Sequence, residues 1–238
     1  MHLRGCSLIL RRAYYHLPLS ARMVLTPRVR ALLGWVLSPM TPFVYVQLPA
    51  LGKFVLDYQI SPLAVAFVRD ELASVSEARI LVFGLGRDSN VWVALNRTGT
   101  TVFLEDVVQW FEKTTPDGRR VHKYLVSYDT ILGDALGYNS SDDIPPLDLP
   151  VEVSSDGFDA VIVDGPAGYH LGAPGRAQSL LAARRMVRSG GFVLVDDYSR
   201  PGEQHFANLV FARDPDLVID SARPFAVFRA RESGRLAT

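Results

Sequence analysis

The stretch Arg79-Ile-Leu-Val-Phe-Gly-Leu-Gly-Arg-Asp88 is a short apolar run that ends abruptly at two glycines. Its four consecutive apolar residues, Ile80 to Phe83, are typical of a strand that is buried on both faces. Gly84 and Gly86 permit a tight turn at which the backbone can come close to a ligand. The pattern predicts the first strand and the first turn of a nucleotide-type cofactor site.

The residues around this turn favour S-adenosylmethionine over a dinucleotide. The full dinucleotide fingerprint has a third glycine near position 89, where this chain has Ser89. A second predicted strand ends at Glu105, about 20 residues after the glycines, where a carboxylate can accept hydrogen bonds from both ribose hydroxyls. Because only the dinucleotide carries the pyrophosphate that a glycine-rich helix start binds, the looser turn followed by an acid favours S-adenosylmethionine.

Composition and charge set limits on the function. The 238 residues are 48% hydrophobic and 21% charged, which fits one sizeable domain with an N-terminal extension. The 25 basic and 25 acidic residues give a formal charge of zero, so no general attraction draws the chain to nucleic acid. The single cysteine, Cys6, excludes an internal disulfide and a zinc site built from several thiolates.

Residues 1–60 differ in composition from the rest of the chain. They are rich in arginine and apolar residues and are interrupted by Pro39, Pro42 and Pro49. No run reaches the roughly 20 apolar residues of a membrane-spanning helix. We interpret them as a basic and apolar extension. It is either a targeting peptide or a packing or interfacial segment with peripheral membrane association. Residues 61–238 form the predicted methyltransferase-like domain.

Strands and helices alternate from residue 79 onward, as in a doubly wound parallel sheet. Strands are predicted at 80–83, 101–104, 121–127, 158–163, 192–195, 217–219 and 225–228. Helices are predicted from Pro62 and at 89–96, 107–113, 175–188 and 206–211, with a turn at Gly190-Gly191 and a surface excursion over 130–156. A short turn over 221–224 joins the last two strands. This pattern predicts the α/β class and a Rossmann-like class I methyltransferase fold, with a seven-stranded mostly parallel sheet and helices on both faces.

Ligands of such sheets lie beyond the carboxyl ends of the strands, where this chain is unusually polar. The predicted cofactor residues are Gly84, Gly86, Glu105, Asp129 and Asp164, with Asp129 as an adenine contact. Asp88 and Asp106 also follow strands, but both stand where a helix N-cap would. Trp92 and Trp110 lie on predicted helix faces and are interpreted as core residues.

Several motifs resemble a plant polysaccharide-biosynthesis family, which contains the glucuronoxylan 4-O-methyltransferases and the irregular-xylem proteins. They are Val82-Phe-Gly-Leu-Gly-Arg-Asp-Ser89 with Trp92, Thr101 to Glu105, Tyr128-Asp-Thr130, Val163-Asp-Gly-Pro-Ala-Gly-Tyr-His170 with Ala173-Pro-Gly-Arg176, and Val195-Asp-Asp197 with Arg200. The resemblance covers residues 79 to 211. Arg87 and Asp196 depart from it, because family members usually have histidine at both places.

This resemblance implies a Golgi enzyme that methylates the 4-hydroxyl of glucuronic acid side chains of xylan, with S-adenosylmethionine as donor. The cytoplasm is the alternative compartment, since residues 1–60 contain no clear anchor. Two alternative functions stay open. One is a non-catalytic scaffold of polysaccharide assembly, and the other is an O-methyltransferase for a small-molecule acceptor.

Methyl transfer to a hydroxyl needs an aligned acceptor oxygen and a group that removes its proton. His170 is the candidate general base because imidazole titrates near neutrality, and its alternative is a structural role in the loop after Asp164. A divalent metal held by Asp164, Asp196 and Asp197 would also acidify the hydroxyl and offset the repulsion among these carboxylates. Their alternative roles are helix capping and binding of the cofactor amino group. Asp164 and Asp197 complete the catalytic set.

Three further residues are candidates for binding a carbohydrate acceptor. Arg176 and Arg200 could each hold the carboxylate of a uronic acid, because guanidinium and carboxylate pair bidentately. Both could equally be surface helix residues. Tyr169 could stack on the apolar face of a sugar ring.

Overall fold

In a computed structural model of the protein, the strand that begins at Arg79 lies inside a seven-stranded sheet. The structure describes Val46 and residues 59–116, 118–154, 157–219, 221 and 223–231. Cys6 and nearly all of the predicted extension over 1–60 lie outside the described residues. Across the described part of the chain, no helix has the length and apolar character needed to cross a membrane.

Seven strands and seven α-helices follow one another along the described chain. The strands are β1 Arg79–Phe83, β2 Thr100–Glu105, β3 Val121–Leu125, β4 Phe158–Val163, β5 Val187–Val195, β6 Leu217–Ile219 and β7 Phe225–Arg229. The helices are α1 Pro62–Leu72, α2 Ser89–Leu95, α3 Val108–Lys113, α4 Leu132–Ala135, α5 Val151–Ser154, α6 Ala177–Met186 and α7 Pro201–Phe211, with a 3-10 helix at Ser141–Asp143.

The strand order is β3-β2-β1-β4-β5-β7-β6. Strands β1 to β5 are parallel, and β7 runs antiparallel to both β5 and β6. The order reverses between β1 and β4, which is where open sheets of this kind bind ligands. This topology, with its closing antiparallel pair, confirms the predicted class I methyltransferase fold.

Alternation along β1 explains why Ile80 to Phe83 are all apolar. Ile80 and Val82 pack into a core cluster with α1 and α2 on one face of the sheet. Leu81 and Phe83 pack into a second cluster with α6 and α7 on the other face. Successive strand residues point to opposite faces, so a strand covered on both sides needs apolar residues at every position.

Three details differ from the predictions. No single regular element spans residues 130–154, which contain α4, the 3-10 helix and α5. The segment is not merely a surface excursion, because Leu132, Ile144 and Val153 are buried in the second cluster. Strand β5 begins at Val187 and runs through Gly190-Gly191, so the turn predicted there is wrong. A register shift against β4 and a φ of 78° at Gly190 accommodate the two glycines within the strand. Helix α7 begins at Pro201, five residues before its predicted start.

Candidate functional site

The two glycines after β1 have different structural roles. A Cβ atom added to Gly84, whose φ is 107°, would lie 3.3 Å from the backbone nitrogen of Gly165. The turn therefore packs backbone against backbone on the loop that follows β4. A Cβ added to Gly86 would meet no atom within 4 Å. Gly86 thus leaves open space that a ligand can occupy.

This open space belongs to a cavity of about 260 Å³ at the carboxyl edge of the sheet. The glycine turn lines one side, and Trp92, Trp110, Asp164 and Gln59 line the rest. Its volume is close to the lower end of the range for small-ligand sites. Of the predicted cofactor residues, the cavity brings together Gly84, Gly86 and Asp164.

Glu105 connects the glycine turn to the loop after β2. Its buried carboxylate accepts hydrogen bonds from the backbone nitrogens of Leu85, at 2.6 Å, and Val107, at 2.8 Å. Burial raises the pKa of Glu105, although these hydrogen bonds favour its charged form. A carboxylate oxygen has two lone pairs, so the oxygen that binds Leu85 can also accept from a ribose hydroxyl. Glu105 is 4% exposed and is not among the described residues that line the cavity, so its ribose contact stays a prediction.

The structure places Asp88, but not Asp106, at the N-cap position of the helix that follows it. Asp88 occupies the N-cap position of α2 but makes no capping hydrogen bond with its side chain. Its carboxylate binds two backbone amides of a preceding segment instead. Asp106 lies one residue before the N-cap of α3, which is Val107. Burial raises the pKa of Asp106.

Asp129 lies on the loop after β3 and is not among the described residues that line the cavity. Its backbone nitrogen donates to Oε1 of Gln178 at 2.8 Å, and the same oxygen accepts from the backbone nitrogen of Thr130 at 3.2 Å. Gln178 is fully buried and so fixes this loop against α6. The adenine contact of Asp129 stays a prediction, and Gln178 holds the loop that carries Asp129.

A network of acids and arginines lies after β4 and β5. Its members are Asp164, Asp196, Asp197 and Glu203 with Arg176, Arg200 and Arg223. Burial alone would raise the pKa of Asp197, but hydrogen bonds from Arg223 and the charges of Arg176 and Arg200 hold it below its usual value. Burial and the nearby Asp164 carboxylate raise the pKa of Asp196. Burial likewise raises the pKa of Glu203.

Arg176 is a correction to the predicted substrate set. Its side chain is only 4% exposed, and its guanidinium donates to the backbone oxygens of Asp164, at 2.6 Å, and Asp196, at 2.7 Å. These contacts tie the loop after β4 to the loop after β5, so Arg176 is not accessible to a substrate carboxylate. Arg200 is partly exposed, but two of its nitrogens already contact Asp197, at 2.7 Å, and Glu203, at 3.3 Å.

The predicted metal ligands do not fit a metal in this arrangement. Within the described ranges, no group of three histidine, cysteine, aspartate or glutamate side chains could hold a metal ion. Arg223 donates to Asp197 at 2.6 Å and to Asp196 at 2.9 Å. Guanidinium groups therefore offset the repulsion among the carboxylates, which was the reason to expect a metal.

His170 and Tyr169 lie on an exposed part of the loop after β4. Their rings pack edge to face with their centroids 4.9 Å apart, and the side chain of Tyr169 is 74% exposed. Neither is among the described residues that line the cavity. Catalytic contacts often form only when substrate is bound, so this geometry leaves the predicted role of His170 open.

The two tryptophans differ in burial. Trp92 is buried as predicted and forms part of the cavity wall, whereas Trp110 is 43% exposed at the cavity, so its assignment to the core is wrong. Arg223 and Gln59 were not predicted as site residues. No local pattern marks either one, because their partners lie at least 26 residues away in the chain.

Comparisons with known proteins show which proteins this chain is similar to. Residues 64–143 match the model of the IRX15/IRX15L/GXM family. Glucuronoxylan 4-O-methyltransferase 2 of Arabidopsis thaliana is 32% identical over 198 residues, covering 71% of this chain and 68% of that protein. Arabinogalactan O-methyltransferase 1 of the same plant is 32% identical over 166 residues, covering 60% of this chain and 57% of that protein. A solved TehB-like SAM-dependent methyltransferase from Corynebacterium glutamicum ATCC 13032 aligns with a TM-score of 0.47 and 14% identity, covering 81% of this chain and 100% of that one.

Proposed function

This chain belongs to the IRX15/IRX15L/GXM family and is a methyltransferase, and we propose that it uses S-adenosylmethionine to methylate a hydroxyl group of a carbohydrate. The acceptor that we propose is the 4-hydroxyl of glucuronic acid side chains of xylan. The names of the glucuronoxylan and arabinogalactan relatives support a polysaccharide acceptor. They also support a place in polysaccharide biosynthesis, and the resemblance to this family favours the Golgi.

The cavity at the glycine turn is the observation that carries the cofactor assignment. Gly86 leaves space beside the turn. The Glu105 carboxylate fixes the turn by accepting a hydrogen bond from the backbone nitrogen of Leu85. Asp164 lines the same cavity and is partly exposed, so it can bind the cofactor amino group and favour the positive charge on sulfur. Asp129 completes the proposed set as the adenine contact.

The reaction is a direct displacement. The acceptor oxygen attacks the methyl carbon while the carbon–sulfur bond breaks, and the bonding electrons stay on sulfur to give S-adenosylhomocysteine. We propose His170 as the base that takes the hydroxyl proton, with Tyr169 and Arg200 binding the sugar. Both His170 and Tyr169 are exposed, and a polymer can reach them without entering the core.

Calorimetric titration with S-adenosylmethionine tests the cofactor assignment. The wild-type protein should bind, and Glu105→Ala should abolish binding because it removes the ribose acceptor and releases Leu85. Glu152→Ala removes an exposed glutamate of α5 and should leave binding unchanged. A folded wild-type protein that shows no binding would favour the scaffold alternative instead.

Two further measurements test the proton and metal hypotheses. His170→Ala should lower kcat by about 10² to 10⁴ and leave cofactor affinity unchanged. Arginines form ion pairs with these carboxylates, so we expect no bound metal that EDTA could remove. Turnover should therefore be unchanged after dialysis against EDTA. Activity that EDTA removes and Mg²⁺ restores would reinstate the metal.

We also propose that residues 61–238 form the methyltransferase domain and that residues 1–60 are an extension with peripheral membrane association. Two residues of that extension, Val46 and Ile60, pack into the core of the domain. Membrane fractionation of the full chain, with and without a high-salt wash, tests the second part. A peripheral protein should leave the membrane fraction at high salt.

A further inference from the structure

Asp88 clamps the segment that leads into α1. Its Oδ1 accepts a hydrogen bond from the backbone nitrogen of Gln59 at 3.0 Å, and its Oδ2 accepts one from the backbone nitrogen of Ile60 at 2.8 Å. The two partners precede Asp88 by 29 and 28 residues. A carboxylate that would ordinarily cap α2 is thus used to hold a distant part of the chain.

The clamped segment forms a wall of the cofactor cavity. Gln59 and Asp88 both line the 260 Å³ cavity beside the glycine turn. With Trp92 and Asp164, they also line a second, smaller cavity that reaches Asp196 and Arg223. Gln59 therefore lies where the space beside the glycine turn meets the space beside the acidic network.

A separate contact anchors this segment to the core. Ile60 is 5% exposed and belongs to the core cluster that contains Val65 and Val68 of α1. Ser61 is the N-cap of α1, and its side chain accepts a hydrogen bond from the backbone nitrogen of Leu63. Helix α1 consequently keeps its place without help from Asp88, and the clamp acts on the residues at the cavity.

We propose that Asp88 is a positioning residue for the cofactor, which holds Gln59 and Ile60 as a preformed wall, and that Gln59 contacts bound S-adenosylmethionine. This inference rests on the proposed function, because it requires that cofactor in this cavity. Hydrogen bonds to a carboxylate are stronger than those between neutral groups, so two of them restrict the segment before the ligand arrives. Without the clamp, binding must order the segment, which weakens affinity.

The chain offers a matched control for this idea. Asp143 accepts hydrogen bonds from the backbone nitrogens of Asn139, at 2.8 Å, and Ser140, at 3.0 Å. It is exposed and is not among the described residues that line either cavity. Asp143→Ala therefore removes two carboxylate–amide hydrogen bonds away from the site, within a local turn instead of between distant segments.

Calorimetry and thermal denaturation of the full chain test the proposal together. Asp88→Ala should raise the Kd of S-adenosylmethionine about tenfold or more, and Asp143→Ala should change it less than about twofold. Both variants should lower Tm by similar amounts, so stability alone cannot account for the difference. Asp88→Asn keeps one acceptor oxygen and should fall between wild type and Asp88→Ala, and Gln59→Ala should also raise Kd.

Hydrogen exchange supplies a readout at the clamp itself. The amides of Gln59 and Ile60 should exchange slowly in the wild-type protein and more slowly with S-adenosylmethionine, and quickly in Asp88→Ala. A folded Asp88→Ala variant with the wild-type Kd would overturn the inference while leaving the proposed function intact. A wild-type protein that does not bind the cofactor would instead reject the proposed function, and this inference with it.

Discussion

Asp197 accepts hydrogen bonds from Arg223 and contacts Arg200 at 2.7 Å, and its own backbone is in the left-handed region with a φ of 55°. Aspartate is one of the few residues other than glycine that adopt this conformation readily. The sharp turn places the carboxylate between two arginines that come from different loops. Asp197 therefore joins the loop after β5 to the loop before β7.

Replacing Asp197 should destabilise the fold in a pH-dependent way. Asp197→Asn leaves arginines without their counter-charge, and we expect a loss of about 3–5 kcal/mol in the free energy of unfolding at pH 7. Because the folded pKa of Asp197 is lowered, its contribution is complete above about pH 4 and disappears as the pH falls through that lowered value. Urea denaturation of both proteins at pH 7 and pH 3 should show the difference shrinking at pH 3.

Asp148→Asn is the control for this measurement, because Asp148 is exposed. It should change the free energy of unfolding by less than about 0.5 kcal/mol at either pH. Equal stability of wild type and Asp197→Asn at pH 7 would contradict the account of the network.

At this scale the sequence singles out several charged residues of the network but not their partners. Asp196, Asp197 and Arg176 all follow strands and were predicted as functional. The Arg223 that neutralises the two aspartates lies more than 20 residues further on, and β7 brings it close only by pairing with β5. Local sequence carries no signal of that pairing, so a metal and a substrate carboxylate were predicted where the protein uses internal ion pairs.

Among the elements, the turn between β1 and α2 makes a sharp prediction. A Cβ on Gly165 would lie 3.0 Å from the Cα of Gly84, so Gly165→Ala should destabilise the fold by about 1–3 kcal/mol. A Cβ on Gly86 meets nothing, so Gly86→Ala should leave Tm nearly unchanged and weaken cofactor binding about tenfold by filling ligand space. Thermal denaturation and calorimetry of the two variants check this, and the reverse pattern would contradict it.

The loop after β4 makes a prediction about the acceptor. It is docked on α4 through hydrogen bonds from the backbone nitrogens of Leu132 and Gly133, yet Tyr169 and Leu171 are exposed at its tip. Tyr169→Ala should raise the KM for glucuronoxylan about tenfold and leave the Kd of S-adenosylmethionine unchanged. Tyr169→Phe keeps the ring and should restore the KM. A change in the Kd of S-adenosylmethionine with no change in the KM for glucuronoxylan would contradict this prediction, because it would make Tyr169 a cofactor contact and not an acceptor contact.

Elements were predictable where burial imposes one pattern. The apolar runs of β1 and β4 could only be strands covered on both faces, and both were predicted within one residue of their bounds. The 130–156 segment mixes prolines and acids with isolated apolar residues such as Ile144 and Val153. Their burial depends on α6 and α7, which come later in the chain, so no local pattern reveals it.

For the whole molecule, the formal charge of zero conceals an uneven distribution. Among the described residues at the carboxyl edge of the sheet, Asp164, Asp196, Asp197 and Glu203 pair with Arg176, Arg200 and Arg223. Arg87 lines the cavity at the same edge. The same edge carries the glycine turn and its cavity. The exposed carboxylate of Asp164 at the cavity suits a cofactor whose reactive sulfur is positively charged. The cavity and this charge support S-adenosylmethionine as the proposed donor, whereas the proposed acceptor is inferred from the relatives.

Transfer of a labelled methyl group from S-adenosylmethionine tests the central claim most directly. The purified full chain is incubated separately with glucuronoxylan, arabinogalactan and catechol, and each product is hydrolysed and its methylated units identified. We predict that label enters glucuronoxylan as 4-O-methylglucuronic acid and that catechol stays unlabelled. Label on catechol with none on either polysaccharide would contradict the assignment of this protein as a carbohydrate O-methyltransferase.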